Sequence, residues 1–210
     1  VDVEVWDMIP SLKKVEPSEG VTVVEAMPQV QFVDSDKAGG YRIILDGECK
    51  VEAADEDGAY YAKVTLDNLK RNAGGNQLPN LVIEDWPDFG YRGFMLDISR
   101  NFTTKDNILK FIDLLAHYKA SVFHLHFGDD EGWRLEIEKF PELTSFGAYH
   151  AFPSKDENGE YVETEGLIHS YNGGADPEDM TSSANGHLSK EDYVEILKYA
   201  WERRIQVIPE

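Results

Sequence analysis

The stretch His124-Leu125-His126-Phe127-Gly128-Asp129-Asp130-Glu131-Gly132-Trp133-Arg134 brings two imidazoles, three carboxylates, an indole and a guanidinium together. Side chains alternate sides along an extended chain, so His124 and His126 share one face of a strand and the acidic residues follow at its C-terminal end. Three chemistries fit this pattern. Two core histidines next to a solvated acidic turn would do no chemistry at all. Two imidazoles on one strand face are good metal ligands, as in a metal-dependent barrel hydrolase, yet nothing else in the chain completes a ligand set. A polar substrate site is the third, with carboxylates accepting hydroxyl protons or orienting a catalytic acid, and Trp133 as a flat stacking surface. Residue types and spacing leave all three open.

Leu96-Asp97-Ile98-Ser99-Arg100 closes an apolar run one β–α–β unit earlier, which puts Arg100 on the same rim as Asp129. A guanidinium there donates a fork of hydrogen bonds to vicinal hydroxyls or to a carboxylate, or forms a structural ion pair with Asp129. Spacing does not separate the two. Arg92, at the opposite end of that run, reads as structural.

The elements that must position these groups follow from periodicity. Phe94 to Ile98 predicts a strand, and Thr103-Thr104 predicts an N-cap ahead of a helix with Ile108, Phe111, Ile112 and Leu115 at helical spacing. A strand from Ser121 to Phe127 comes next. Ser189 then caps a helix with Tyr193, Ile196, Leu197, Ala200 and Trp201 on one face, and Gln206 to Ile208 supplies a third strand. Strand, helix, strand, helix, strand is a parallel α/β layout. Between them, residues 149–188 are rich in Gly, Asp, Asn, Ser and Pro and read as a long inserted loop on the side where such folds place their sites. Ahead of Trp86-Pro87-Asp88-Phe89-Gly90, a turn-rich break, residues 1–85 mix strand-like runs (Val21 to Val24, Tyr41 to Leu45, Leu81 to Ile83) with one helix. That helix begins near Gly58, carries Ala62, Leu66 and Leu69 on one face and stops at Gly74-Gly75, a small α+β domain in outline.

Composition narrows the partners. With 20 Lys and Arg against 40 Asp and Glu, the net charge of -20 repels phosphate backbones and anionic membranes, so neither nucleic acid nor membrane is expected. The single cysteine, Cys49, excludes an intrachain disulfide and a zinc-finger cage.

Three ordered motifs closely resemble the family 20 glycoside hydrolases, the β-N-acetylhexosaminidases: residues 85–100 (Asp-Trp-Pro-Asp-Phe-Gly-Tyr-Arg-Gly-Phe-Met-Leu-Asp-Ile-Ser-Arg), residues 124–134, and Phe140-Pro141-Glu142-Leu143-Thr144. The ending, Tyr199 to Glu210, is similar to that family's approach to its third barrel strand. The resemblance implies an α/β fold, with a small N-terminal α+β domain over residues 1–85 and the first three strands of a truncated (β/α)8 barrel over residues 86–210. It also implies an exo-acting enzyme that removes terminal N-acetylhexosamine from β-linked glycans. The substrate's acetamido group serves as nucleophile, with retention, making the family an exception to the two-carboxylate scheme. No cofactor and no metal is implied.

Carried over residue by residue, Arg100 matches the arginine that grips the ring hydroxyls, and Asp129 matches an acidic residue supporting the general acid. Asp130, His126 and Trp133 are further substrate-binding candidates. The family's catalytic Asp-Glu pair follows its fourth strand, so Asp130 and Glu131 are not that pair, and this chain alone is expected to be an inactive fragment. A glycan-binding module without turnover is the rival reading. The family's habit and the start without Met imply export, to the periplasm or the exterior, and an incomplete barrel implies self-association or excision from a longer chain.

Overall fold

The computed structural model describes residues 3–152, 154–162, 168–169 and 181–210. The chain divides into two compact units, Val1–Arg92 with Ala116–Lys119, and Gly93–Leu115 with Ala120–Glu210.

The first unit is a five-stranded sheet with one helix. Its strands are β1 (Lys14–Val23), β2 (Val30–Phe32), β3 (Tyr41–Leu45), β4 (Cys49–Ala53) and β5 (Gln77–Asp85), in the order β1-β5-β3-β4-β2. Only the β2–β4 pair is parallel. Helix α1 (Glu56–Ala73) starts where the Asp55 carboxylate accepts from the Gly58 amide at 2.8 Å, and ends at Gly74, whose φ of 70° is the left-handed cap that glycine adopts without a Cβ clash. Tyr61, Ala62, Leu66 and Leu69 face the sheet and bury Ile43, Leu45, Val51, Leu78, Leu81 and Ile83. Each large aliphatic side chain so buried contributes roughly 1.5–3 kcal/mol. Cys49 opens β4, half-buried at the edge of this core.

A buried ionic knot closes the unit. Lys119 Nζ donates to Tyr41 Oη at 2.7 Å and to Asp85 Oδ2 at 3.1 Å, while Tyr41 Oη donates to the same carboxylate at 2.7 Å. Burial pulls the Lys119 pKa down, partly offset by Asp85. Arg92 is structural, donating to the carbonyls of Lys119 and Phe89 and to Tyr61 Oη.

The second unit is built on three parallel strands, β6 (Gly93–Asp97), β7 (Val122–His126) and β14 (Gln206–Pro209), ordered β14-β7-β6. Helices α2 (Lys105–His117) and α4 (Lys190–Glu202) make the connections. Ser189 and Asp192 form a reciprocal capping box at the start of α4. Ile108, Ile112, Ile196 and Ala200 are fully buried, as are Phe123 and Leu125 on the sheet. The face expected on α4 is wider than the one it buries: Trp201 is 70% exposed and Leu197 also lies open.

Short elements fill the rest: a hairpin of β8 (Gly128–Asp129) and β9 (Gly132–Trp133), helix α3 (Glu142–Ser145), and the two-residue strands β10 (His150–Ala151), β11 (Ser154–Lys155), β12 (Tyr161–Val162) and β13 (Ile168–His169). Part of the loop expected over residues 149–188 lies outside the described residues. Its described ends are tied down, with Gly186 N donating to Ala148 O at 3.1 Å and His150 N to Asn185 Oδ1 at 3.0 Å.

Candidate functional site

Parallel pairing sets which residues converge. Asp97 on β6 stands opposite His126 on β7, Met95 opposite His124, and His124 opposite Ile208 on β14. The two histidines therefore share a face, as period-two alternation requires. Polar groups gather at the C-terminal ends of the strands, the end where parallel α/β sheets carry their sites.

Arg100 is the hub. Its Nη1 lies 2.6 Å from Asp129 Oδ2, 3.0 Å from Asp97 Oδ2 and 3.1 Å from His126 Nε2, and its side chain keeps 34% of its surface open. Asp97 also turns the backbone here, since its Oδ1 accepts from the amides of Ser99 and Arg100 at 2.9 and 3.2 Å. The ion pair with Asp129 is thus formed, Nε lies 3.9 Å from Glu131 Oε1, and part of the side chain stays open to solvent.

His126 stands between two carboxylates, with Nε2 at 2.8 Å from Asp129 Oδ2 and Nδ1 at 2.8 Å from Glu210 Oε2. Burial lowers its pKa, but the hydrogen bonds to Glu210 and Asp129 outweigh it and the net shift is upward. Both ring nitrogens facing anions favours the doubly protonated ring. Asp129 moves the other way, to about 2, through the hydrogen bond from the Asp130 amide, with His126 and Arg100 adding to it. Glu210 is also lowered, chiefly by His126. His124 Nε2 lies 2.7 Å from the same Glu210 oxygen but without the alignment of a hydrogen bond.

Models of glycosyl hydrolase family 20 match nearly the whole chain, the catalytic domain over residues 89–210 and domain 2 over residues 8–86. The chain belongs to glycosyl hydrolase family 20. N,N'-diacetylchitobiase of Vibrio harveyi is 42% identical over 175 residues, which are 83% of this chain and 19% of that protein. A β-hexosaminidase of Vibrio furnissii is 37% identical, over 82% of this chain and 26% of that one. The crystal structure of the family 20 exo-β-N-acetylglucosaminidase of Vibrio harveyi in complex with N-acetylglucosamine superposes with a TM-score of 0.74 at 26% identity, covering 98% of this chain and 36% of that one. The chain thus spans between 19% and 26% of the length of these two curated relatives. Its fold is that of the family: a small N-terminal α+β unit and the start of the barrel.

Within this family 20 chain, the structure joins Arg100, Asp129 and His126 directly. Asp130 is exposed and contributes its backbone amide. Trp133 is engaged within the hairpin: its Nε1 donates to Leu135 O at 2.5 Å, its ring meets Phe127 edge-on, and Gly128 lies so close that a Cβ there would fall 2.7 Å from the indole. Sequence reasoning missed Asp97 and Glu210 as members of the cluster, and Arg134 and His150 behind it. The signal available for Asp97 and Glu210 was their place at the C-terminal ends of parallel strands. Among the described residues, no group of three or more His, Cys, Asp or Glu is arranged to hold a metal ion.

Proposed function

We propose that this chain forms the N-terminal part of an exo-acting β-N-acetylhexosaminidase, which removes terminal N-acetylhexosamine from β-linked glycans with retention. The observation that carries the reading is the partly open Arg100 side chain, braced by Asp97 and Asp129 at the C-terminal rim of the strands. A fork held in place from behind loses little freedom on meeting the vicinal hydroxyls of a terminal sugar. Asp129, at about 2, stays ionised through the neutral range. It therefore serves as an acceptor and a fixed negative charge that favours a protonated neighbour, rather than as the acid. In the reaction the acetamido oxygen attacks the anomeric carbon as the leaving oxygen takes a proton from a carboxylic acid. Water then opens the cyclic intermediate.

The acid and the carboxylate that orients the acetamido group are assigned to no residue of this chain, and Asp130 and Glu131 remain part of the turn behind Arg100. Export of the enzyme belongs to the same proposal. Chromophore release from an aryl β-N-acetylglucosaminide, run on this chain and on the product of the full reading frame, tests it. Activity is expected only in the longer protein, unchanged by a chelator and reduced about a hundredfold in kcat/KM by Arg100→Ala. Sugar binding with no turnover in either would transfer the reading to a glycan-binding module, and loss with the chelator to a metal-dependent hydrolase.

A further inference from the structure

Arg134 is fully buried and forms no ion pair among the described residues, although burial leaves its pKa no lower than about 10 and the group charged. A guanidinium has five N–H donors and no acceptor, and here all five are used. Nε and Nη2 both donate to Ser99 O, at 3.0 and 2.8 Å. Nη1 donates to Ala148 O at 2.6 Å and to Gly186 O at 3.1 Å. The remaining Nη2 proton points at His150 Nε2, 3.3 Å away.

That last contact fixes a tautomer. His150 Nε2 must accept, so Nδ1 carries the proton and donates to Glu131 O at 2.8 Å. Burial and the neighbouring Arg134 push the His150 pKa down, in keeping with a neutral ring. One cation therefore holds the backbone immediately before Arg100 and, through His150, the backbone of the turn that carries Asp129. Gly132 completes the joint: a Cβ at this position would lie 2.9 Å from both Arg134 Nη2 and Ser99 O, so the hairpin approaches only with a bare backbone. Ser99 Oγ donates to Gly132 O at 2.6 Å across the same contact.

We propose that Arg134 is a positioning residue for sugar binding, clamping Ser99 directly and Glu131 through His150 so that Arg100 and Asp129 meet in the geometry that receives the substrate. The function assigned to the clamp rests on the hexosaminidase reading above, whereas the clamp's effect on the cluster does not. His126 provides the readout, because Asp129 and Glu210 face its two nitrogens while Asp97 and Arg100 stand beside them.

The experiment compares the intact protein with Arg134→Met, His150→Gln and Gly132→Ala variants, following the His126 ring by NMR titration and kcat and KM with an aryl β-N-acetylglucosaminide. In each folded variant the His126 pKa is expected to fall back towards its ordinary range as Asp129 withdraws. KM is expected to rise about tenfold or more, with a smaller change in kcat, since misplacement by about 1 Å costs up to about a hundredfold. If Arg134→Met does not fold, the milder Gly132→Ala and His150→Gln variants decide. An unchanged His126 titration in the folded variants overturns the clamp. A shifted titration in the variants, beside a wild-type protein that cleaves no aryl glycoside, keeps the clamp and overturns the hexosaminidase reading instead.

Discussion

Arg100, Asp129, His126 and Glu210 form an alternating row of charges, and the row gives the second unit a characteristic response to pH. His126 has its pKa raised above the ordinary 6.5, so its contribution to stability is full below 6.5 and is lost as pH climbs through the folded value. Asp129 is lowered from 3.8 to about 2, so its contribution is present above 3.8 and is lost as pH falls through about 2. Both contributions are in place between about 4 and 6.5. Thermal melts across that range should show greatest stability there, with a decline above it that His126→Gln removes. A decline that persists in the variant would assign it elsewhere. In the sequence, Arg100 and Asp129 were legible as rim partners because each ends a predicted strand one β–α–β unit apart. Glu210 and Asp97 were not, since their meeting with His126 depends on the register of three parallel strands. The Arg134–His150 relay was invisible for a stronger reason: most of its acceptors are backbone carbonyls, which carry no sequence signature.

At the scale of elements, the ends of helices were the most legible features. Gly74 and Ser189 mark boundaries by local chemistry, and the helices stop or start beside them, while α2 starts directly after Thr104. Strands β2 and β4 went unseen because neighbours, not their own composition, make them: β4 is held between β3 and β2, and β2 has only three residues. The caps also give a direct test. Asp55 spans two tasks, accepting from Gly58 N through one oxygen and from Gly39 N through the other, each at 2.8 Å. Asp55→Ala should destabilise the first unit by about 1–2 kcal/mol, read as a lower denaturant midpoint with an unchanged slope. A changed slope would mean that the denatured state, not the cap, had moved.

For the whole molecule, the second unit leaves a good deal of apolar surface open. Phe94 is 51% exposed, Met95 50% and Trp201 70%, and β6 and β14 are the outer strands of their sheet among the described residues. Such surfaces favour association, while a net charge of -20 opposes it. Salt screens the repulsion and leaves the hydrophobic term intact. Sedimentation velocity of this chain should therefore show an average mass that rises with protein concentration and rises further with added salt. A monomer at every salt and concentration, melting in one cooperative step, would be incompatible with that.

Cys49 gives the first unit a probe of its own. It is the only thiol in the sequence, set at the first residue of β4 and half-buried against the core, with burial pushing its pKa up despite Lys70 nearby. Alkylation needs a thiolate in contact with solvent, and here partial cover and a raised pKa slow a small reagent without shutting it out. The rate at which label appears at this one position then reports how well the opening end of β4 is covered, in a unit other than the one that holds Arg100 and His126.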